Sequence, residues 1–186
     1  MTGNKENNVC PVERASTLDN RIRRWLHNPR KILGPFVKEG MTVLDLGCGP
    51  GVFSVVMAQM VGISGRVIAA DMQEGMLEKL KDKIQGTELE GRITLHKCED
   101  NRIGVLQNVD FILLFYMVHE VPNKKDFFDE IAAILRPKGQ VLMVEPPVHV
   151  SRRAFADTVK QAMDAGLTEA KGPHVRFSKT VILKRG

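Results

Sequence analysis

The sequence predicts an α/β fold: a mostly parallel sheet of seven strands, helices on both faces, and an antiparallel hairpin at its C-terminal edge. From Thr42 onward, short apolar runs alternate with segments of helical periodicity, the pattern of parallel strands joined by crossover helices. The last two apolar runs, Leu167–Lys171 and Arg176–Lys184, are separated only by a short turn through Gly172-Pro173-His174, so they are expected to pair antiparallel. A glycine-rich break after the first strand marks the place in such folds where ligands bind, outside the carboxyl ends of the strands.

Each element has its own signal. Residues 1–12 are polar and read as disordered. A helical pattern covers Ser16 to His27, with Leu18, Ile22, Trp25 and Leu26 on one face. Asn28-Pro29 reads as an N-cap and N1 proline opening a second short helix through Phe36-Val37. Strands follow at Thr42–Leu46, Arg66–Ala70, Arg92–Lys97, Val109–Phe115 and Gln140–Glu145. Helices are expected at Val52–Val61, Met72–Ile84, Lys124–Leu135 and Ser151–Ala165. With no repeat, linker or low-complexity stretch, all 186 residues are expected to form one domain. Residues 13–40 would form an N-terminal helical lid on a core of 41–186.

Composition narrows the class. Hydrophobic residues at 43% and charged residues at 26% are ordinary for a globular protein, and no apolar run is long enough to span a membrane. The polar start lacks a signal-peptide core, so a cytoplasmic location is expected. Three cysteines make no disulfide framework, and no Cys-x-x-Cys or His-x-x-x-His spacing suggests a metal. The net charge of +5 is uneven: residues 1–40 and 151–186 are basic, whereas the middle of the chain is acidic. Basic ends could meet nucleic acid or an anionic substrate, but they read more simply as solvated helix faces.

The segment Thr42-Val43-Leu44-Asp45-Leu46-Gly47-Cys48-Gly49-Pro50-Gly51 carries most of the functional information. Glycines between a strand and a helix let a ligand approach the backbone. Their spacing alone is a weak signal, but a carboxylate at the end of a core strand is costly unless something binds it. Asp71 stands at the end of the second strand, where doubly wound folds place an acid for ribose hydroxyls, with capping of the next helix as the plainer alternative. Cys98-Glu99-Asp100 ends the third strand, so acids converge on one sheet edge. Such a rim is hostile to pyrophosphate, which prefers a helix N-terminus without carboxylates. The absence of Gly-Lys-Ser/Thr excludes a P-loop, and Val52 breaks the Gly-x-Gly-x-x-Gly pattern. An adenosine carrying a positive group and an amino-acid tail suits the charges better.

Val43 to Gly51 resembles the first motif of class I S-adenosylmethionine-dependent methyltransferases. Val67 to Met72 resembles the second motif, Ile93 to Ile103 the third, and Val109 to Val121 the fourth; Leu135 to Val141 resembles the lead into strand five. Together they cover about residues 35–146, and the similarity is strongest to the small-molecule subgroup of ubiquinone and menaquinone biosynthesis. The resemblance implies a Rossmann-like seven-stranded methyltransferase sheet with S-adenosylmethionine as cofactor. By it, Gly47, Cys48, Gly49 and Gly51 form the cofactor loop and Asp45 helps hold the amino-acid end. Asp71 takes the ribose, Met72 packs on adenine, and Glu99 or Asp100 accepts from the adenine amino group. Glu99 stands where the family usually has Asp. Leu114 and Phe115 lie where the family's chain passes the methionine moiety.

The implied reaction is in-line displacement at a sulfonium methyl, which works largely by positioning and desolvation. A base is needed only if the acceptor is protonated. His119 is the best candidate, with Glu120 and Tyr116 beside it, although packing or hydrogen bonding at a helix start is the plainer reading of His119. Glu145 and His149 border the same edge with a weaker claim, and His174 falls in the expected turn. Cys98 suggests thiol chemistry, but too few cysteines accompany it; Cys48 reads as a small packing residue. The expected partner is a small-molecule methyl acceptor for a monomer or homodimer, with nucleic acid unfavoured because Phe115-Tyr116-Met117-Val118 lacks the signature of many base-amine methylators. An RNA or protein methyltransferase and a non-catalytic nucleotide-binding protein remain as alternatives. The N-terminal helices, with Arg21, Arg23, Arg24, Arg30 and Lys31 around Trp25, are the expected lid.

Overall fold

The computed structural model describes residues 28–185. Their elements are α1 (Pro29–Leu33), β1 (Thr42–Leu46), α2 (Val52–Val61), β2 (Arg66–Asp71), α3 (Glu74–Ile84), β3 (Ile93–Lys97), β4 (Val109–Phe115), α4 (Lys124–Ile134), β5 (Leu135–Glu145), α5 (Arg152–Asp164), β6 (Leu167–Lys171) and β7 (Lys179–Arg185). One seven-stranded sheet runs in the order β3-β2-β1-β4-β5-β7-β6. Strands β1 to β5 pair in parallel, and β7 inserts antiparallel between β5 and β6. The seven expected strands and the C-terminal hairpin are all present. The expected helix at 16–27, with Trp25, Arg21, Arg23 and Arg24, lies outside the described residues, whereas Arg30 and Lys31 are exposed on α1.

The sheet is buried on both faces, and period-two alternation sorts its side chains. Leu44, Leu46, Ile112 and Leu114 face α4 and α5, where they pack with Phe128, Ile131 and Ala162. Val43, Phe111 and Leu113 face the other way, onto Leu33, Met57, Ala58 and Leu80 of α1, α2 and α3. Asp45 shares the register of Val43, so alternation turns a carboxylate toward α2.

Boundaries moved where local chemistry outweighed periodicity. α1 stops at Leu33 rather than running to Val37, since Pro35 can supply no N–H to continue it. α3 starts at Glu74 rather than Met72, because Asp71 Oδ1 accepts from the Gln73 N–H at 2.9 Å and Gln73 is extended. β5 begins at Leu135, pairing with Val109 before a register shift around Lys138, whose φ is +66°. β7 begins at Lys179 rather than Arg176, since Phe177 adopts φ +53° and Ser178 N–H closes a turn onto Val175 O at 3.1 Å.

The sheet order reverses between β1 and β4, and the loops after β1, β2, β4 and β5 gather at one edge. Gly51, the N-cap of α2, has φ +79°, and a Cβ there would lie 2.2 Å from Leu80 Cδ1. Gly86 has a similar φ of +72° with nothing within 4 Å of such a Cβ. Leu80 is fully buried and cannot yield cheaply. Gly51→Ala is therefore expected to cost roughly 2–4 kcal/mol by urea denaturation, from overpacking and left-handed strain together. Gly86→Ala should cost only the strain, about 1–2 kcal/mol.

Candidate functional site

The loop after β1 is held by acceptors of the chain itself. Gly47 and Cys48 N–H both donate to Ala70 O, at 2.8 and 3.0 Å, and Gly51 N–H donates to Cys48 O at 3.0 Å. Gly49 N–H donates to Asp71 Oδ2 at 2.8 Å. Lys83 Nζ holds Pro50 O from α3 at 2.8 Å. A phosphate-binding loop needs free amides aimed outward. Here the amides of residues 47, 48, 49 and 51 point at protein acceptors, and Pro50 has none. The loop is built against pyrophosphate.

Its glycines do different work. A Cβ on Gly47 would lie 2.9 Å from Met117 Cγ, and one on Gly51 would strike Leu80, so both are required by packing within the protein. A Cβ on Gly49 would meet nothing within 4 Å. Gly49 alone opens to a ligand, a distinction that spacing cannot reveal. Cys48 and Cys98 are buried, and burial pushes the Cys98 thiol up to about 12 and the Cys48 thiol well above its ordinary value. Both stay protonated and serve as packing.

Two acids lie beneath and beside the loop. Asp45 is 3% exposed and accepts from Ser54 Oγ at 2.5 Å. Burial raises its carboxyl to about 7, partly offset by Ser54 and reinforced by the Asp71 charge. The Asp71 carboxyl is also raised by burial, against the hydrogen bonds from Gln73, Gly49 and Met72. Its two oxygens accept from Gly49 and Gln73; the N-cap of α3 is Gln73, so Asp71 does not cap the helix as expected but closes a turn two residues ahead of it. A carboxylate offers about four acceptor sites, which leaves room for ligand hydroxyls. Met72 is 39% exposed beside it, and Glu99 and Asp100 are exposed after β3. Leu114 is wholly buried, so any ligand contact from it is through its backbone, whereas Phe115 is half-buried against Phe53 at 4.5 Å.

The loop after β4 forms the opposite wall. Tyr116 has φ +59°, donates its N–H to Val144 O at 2.8 Å, and places its hydroxyl 2.6 Å from Ser178 Oγ. It is a strut between β4 and the β7 loop. His119 and Glu120 lie on a short 3-10 helix, Val118–Glu120. His119 Nδ1 is 2.7 Å from Glu145 Oε2, while Glu145 Oε1 accepts from Val118 N–H at 3.0 Å. Hydrogen bonding to Glu145 raises the His119 imidazole above its ordinary value. Burial raises Glu120, helped by the charge of Asp71 and opposed by His119. His149 is exposed, with its ring parallel to that of His119 and 6.2 Å away. His174 is exposed, as expected for a turn.

A loop whose amides are already satisfied, ringed by carboxylates and open at one glycine, fits a cationic nucleoside. A methyltransferase-domain family model matches residues 37–173. The chain belongs to the S-adenosylmethionine-dependent methyltransferases. A demethylmenaquinone methyltransferase of Lactobacillus johnsonii is 33% identical over 110 residues, covering 59% of this chain and 45% of that protein. The ubiquinone/menaquinone biosynthesis C-methyltransferase UbiE of Haemophilus ducreyi is 29% identical over 110 residues, covering 59% and 42%. The chain spans about half the length of such curated relatives. A SAM-dependent methyltransferase from Aquifex aeolicus matches in structure with a TM-score of 0.84 and 28% identity, covering 94% of this chain and 98% of that one. Among the described residues no helix is long and apolar enough to cross a membrane.

Sequence reasoning undervalued Glu145 and did not reach Ser54 or Met117. Glu145 carries the same signal as Asp45, an acid ending an apolar strand, here Val-Leu-Met-Val-Glu. Ser54 and Met117 gain meaning only from tertiary contact.

The shifts fix a pH dependence. Between 3.8, the ordinary value of Asp45, and about 7, its folded value, the folded state binds more protons than the unfolded chain, so stability falls as pH rises. Asp71 and His119 are raised as well and act in the same direction, His119 losing its contribution as pH climbs through its folded value. Asp45→Asn removes the largest of these. Its melting temperature should match wild type near pH 4 and exceed it by several degrees at pH 8, measured by calorimetry, while its affinity for S-adenosylmethionine drops.

Proposed function

We propose that this chain transfers a methyl group from S-adenosylmethionine to a small-molecule acceptor at the C-terminal edge of β1, β2, β4 and β5. The observation that carries this reading is the glycine loop, whose amides are occupied by Ala70 and Asp71 and whose single open face is at Gly49. Gly49 lets the backbone approach the cofactor, Asp71 accepts from the ribose hydroxyls, and exposed Met72 packs on the adenine. Glu99 or Asp100 accepts from the adenine amino group, and the buried Asp45, bonded to Ser54, acts on the amino-acid end by its charge rather than by contact. Once bound, S-adenosylmethionine supplies a methyl group on a sulfonium leaving group that is already activated. The chain's remaining work is positioning, water exclusion and proton removal.

On the acceptor side, His119 takes the proton of a reacting atom that carries one. Its Nε2 lies 4.0 Å from Glu120 Oε1, beyond hydrogen-bond range. The half-buried Glu120 steadies the imidazolium that proton transfer would form. Tyr116, committed to Ser178, holds the wall in shape. The names of the relatives, demethylmenaquinone and ubiquinone/menaquinone biosynthesis methyltransferases, support an acceptor of the kind handled in quinone biosynthesis.

S-adenosylmethionine with a labelled methyl group, incubated with a fractionated cell extract, tests the reading. Label should enter a low-mass product. Label in RNA or protein alone, or in no fraction, would overturn it. Gly49→Ala should impair transfer while lowering stability by only about 1–2 kcal/mol, since a Cβ there meets nothing within 4 Å and only left-handed strain is added.

A further inference from the structure

Glu145 ends β5 and is 1% exposed. A carboxylate this deep is costly unless its oxygens are satisfied. Both are: Oε1 accepts from Val118 N–H at 3.0 Å, and Oε2 lies 2.7 Å from His119 Nδ1. Neither partner is a permanent cation. Packing alone would favour an apolar residue here, as at Met143 and Val144 just before it, both fully buried.

The pairing has a chemical consequence. An ionised carboxylate only accepts, so Nδ1 must carry a hydrogen, and in the neutral ring Nε2 is then the unprotonated nitrogen. Among the described residues Nε2 makes no hydrogen bond, with Glu120 Oε1 at 4.0 Å. The ring is one-quarter exposed, while the Glu145 side chain is 2% exposed. The carboxylate therefore lies on the interior side of the ring, and solvent and acceptor reach it from the other. Besides Glu145 on β5, the charged groups facing His119 are Glu120 beside it and Lys124 at the start of α4, with His149 parallel from the segment after β5.

We propose that Glu145 is a positioning residue: it fixes His119 in the tautomer that presents Nε2 as proton acceptor, which matches the site to acceptors whose reacting atom bears a removable proton. This rests on the methyl-transfer reading above. Among the described residues the hydrogen bonds of Glu145 go to Val118 and His119, and at 1% exposure it acts through His119. Its second bond, to Val118 N–H, anchors the 3-10 helix that carries the imidazole.

Replacing Glu145 by glutamine separates this from a structural role. Glutamine offers one acceptor oxygen for two N–H groups. Val118 is fully buried, so its amide keeps the oxygen, and the glutamine NH2 then faces Nδ1. That forces Nδ1 to accept and moves the ring proton to Nε2, which removes the base while preserving the fold.

Long-range proton–nitrogen NMR of the imidazole rings, with His119 assigned from His119→Gln, reads both tautomer and titration and needs no acceptor. In wild type, neutral His119 should be the Nδ1–H tautomer with a titration midpoint above 6.5. In Glu145→Gln the tautomer should invert and the midpoint should fall from its wild-type value, since the hydrogen bond that raises it is lost. Calorimetric affinity for S-adenosylmethionine should stay within about twofold. A wild-type Nε2–H tautomer, or a folded Glu145→Gln protein with unchanged tautomer and midpoint, would overturn the proposal. If Glu145→Gln does not fold, the wild-type tautomer alone decides. A protein that binds no S-adenosylmethionine but keeps the Nδ1–H tautomer would sink the methyl-transfer reading and leave the His119–Glu145 geometry standing.

Discussion

The hydrogen bond from Gly49 N–H to Asp71 Oδ2 is the contact on which the site depends. It joins the loop after β1 to the end of β2, the two strands that flank the ligand cleft on one side. It also decides what the loop can hold. With this amide taken by a carboxylate, and those of Gly47 and Cys48 taken by the Ala70 carbonyl, the turn that many nucleotide sites use for phosphate presents negative charge instead. The same carboxylate bonds Gln73 N–H and delays the start of α3, which leaves Met72 at the rim. One aspartate thus sets the shape of the loop, the charge of the cleft and one apolar wall.

Acids recur at strand ends around this edge: Asp45 on β1, Asp71 on β2 and Glu145 on β5. Each is buried in a sheet that is otherwise apolar there, and each is answered by a short-range donor rather than by an arginine or lysine, namely Ser54, the Gly49 and Gln73 amides, and Val118 with His119. Ser54 and the backbone amides satisfy the oxygens without supplying a counter-charge, which leaves the edge at Asp45 and Asp71 receptive to a cation. Raised proton affinity at Asp45 is the thermodynamic trace of that arrangement. Stability is lower at neutral pH than an apolar core would give, in exchange for a cleft preorganised for a sulfonium nucleoside.

Much of this was legible in the sequence. Strand and helix alternation and the C-terminal hairpin follow from periodicity, and the importance of Asp45 and Asp71 on β1 and β2 follows from the cost of burying charge. Element ends were less legible, because they turn on single contacts: Pro35 stopping α1, Asp71 holding back α3, and Phe177 in a left-handed turn delaying β7. Within the glycine loop, spacing treated all three glycines as ligand-facing. Only tertiary structure shows Gly47 pressed on Met117 and Gly51 on Leu80, which leaves Gly49 open. Glu145 was visible as an acid ending an apolar strand, yet its partner lies 26 residues away in the chain and no local pattern connects them.

The loop selects a cationic nucleoside over a pyrophosphate-bearing one, and calorimetric titration tests this most directly. S-adenosylmethionine and its demethylated product should each give a saturable heat, with NAD giving none under the same conditions. Saturable binding of NAD, with no heat from S-adenosylmethionine or its product, would contradict it.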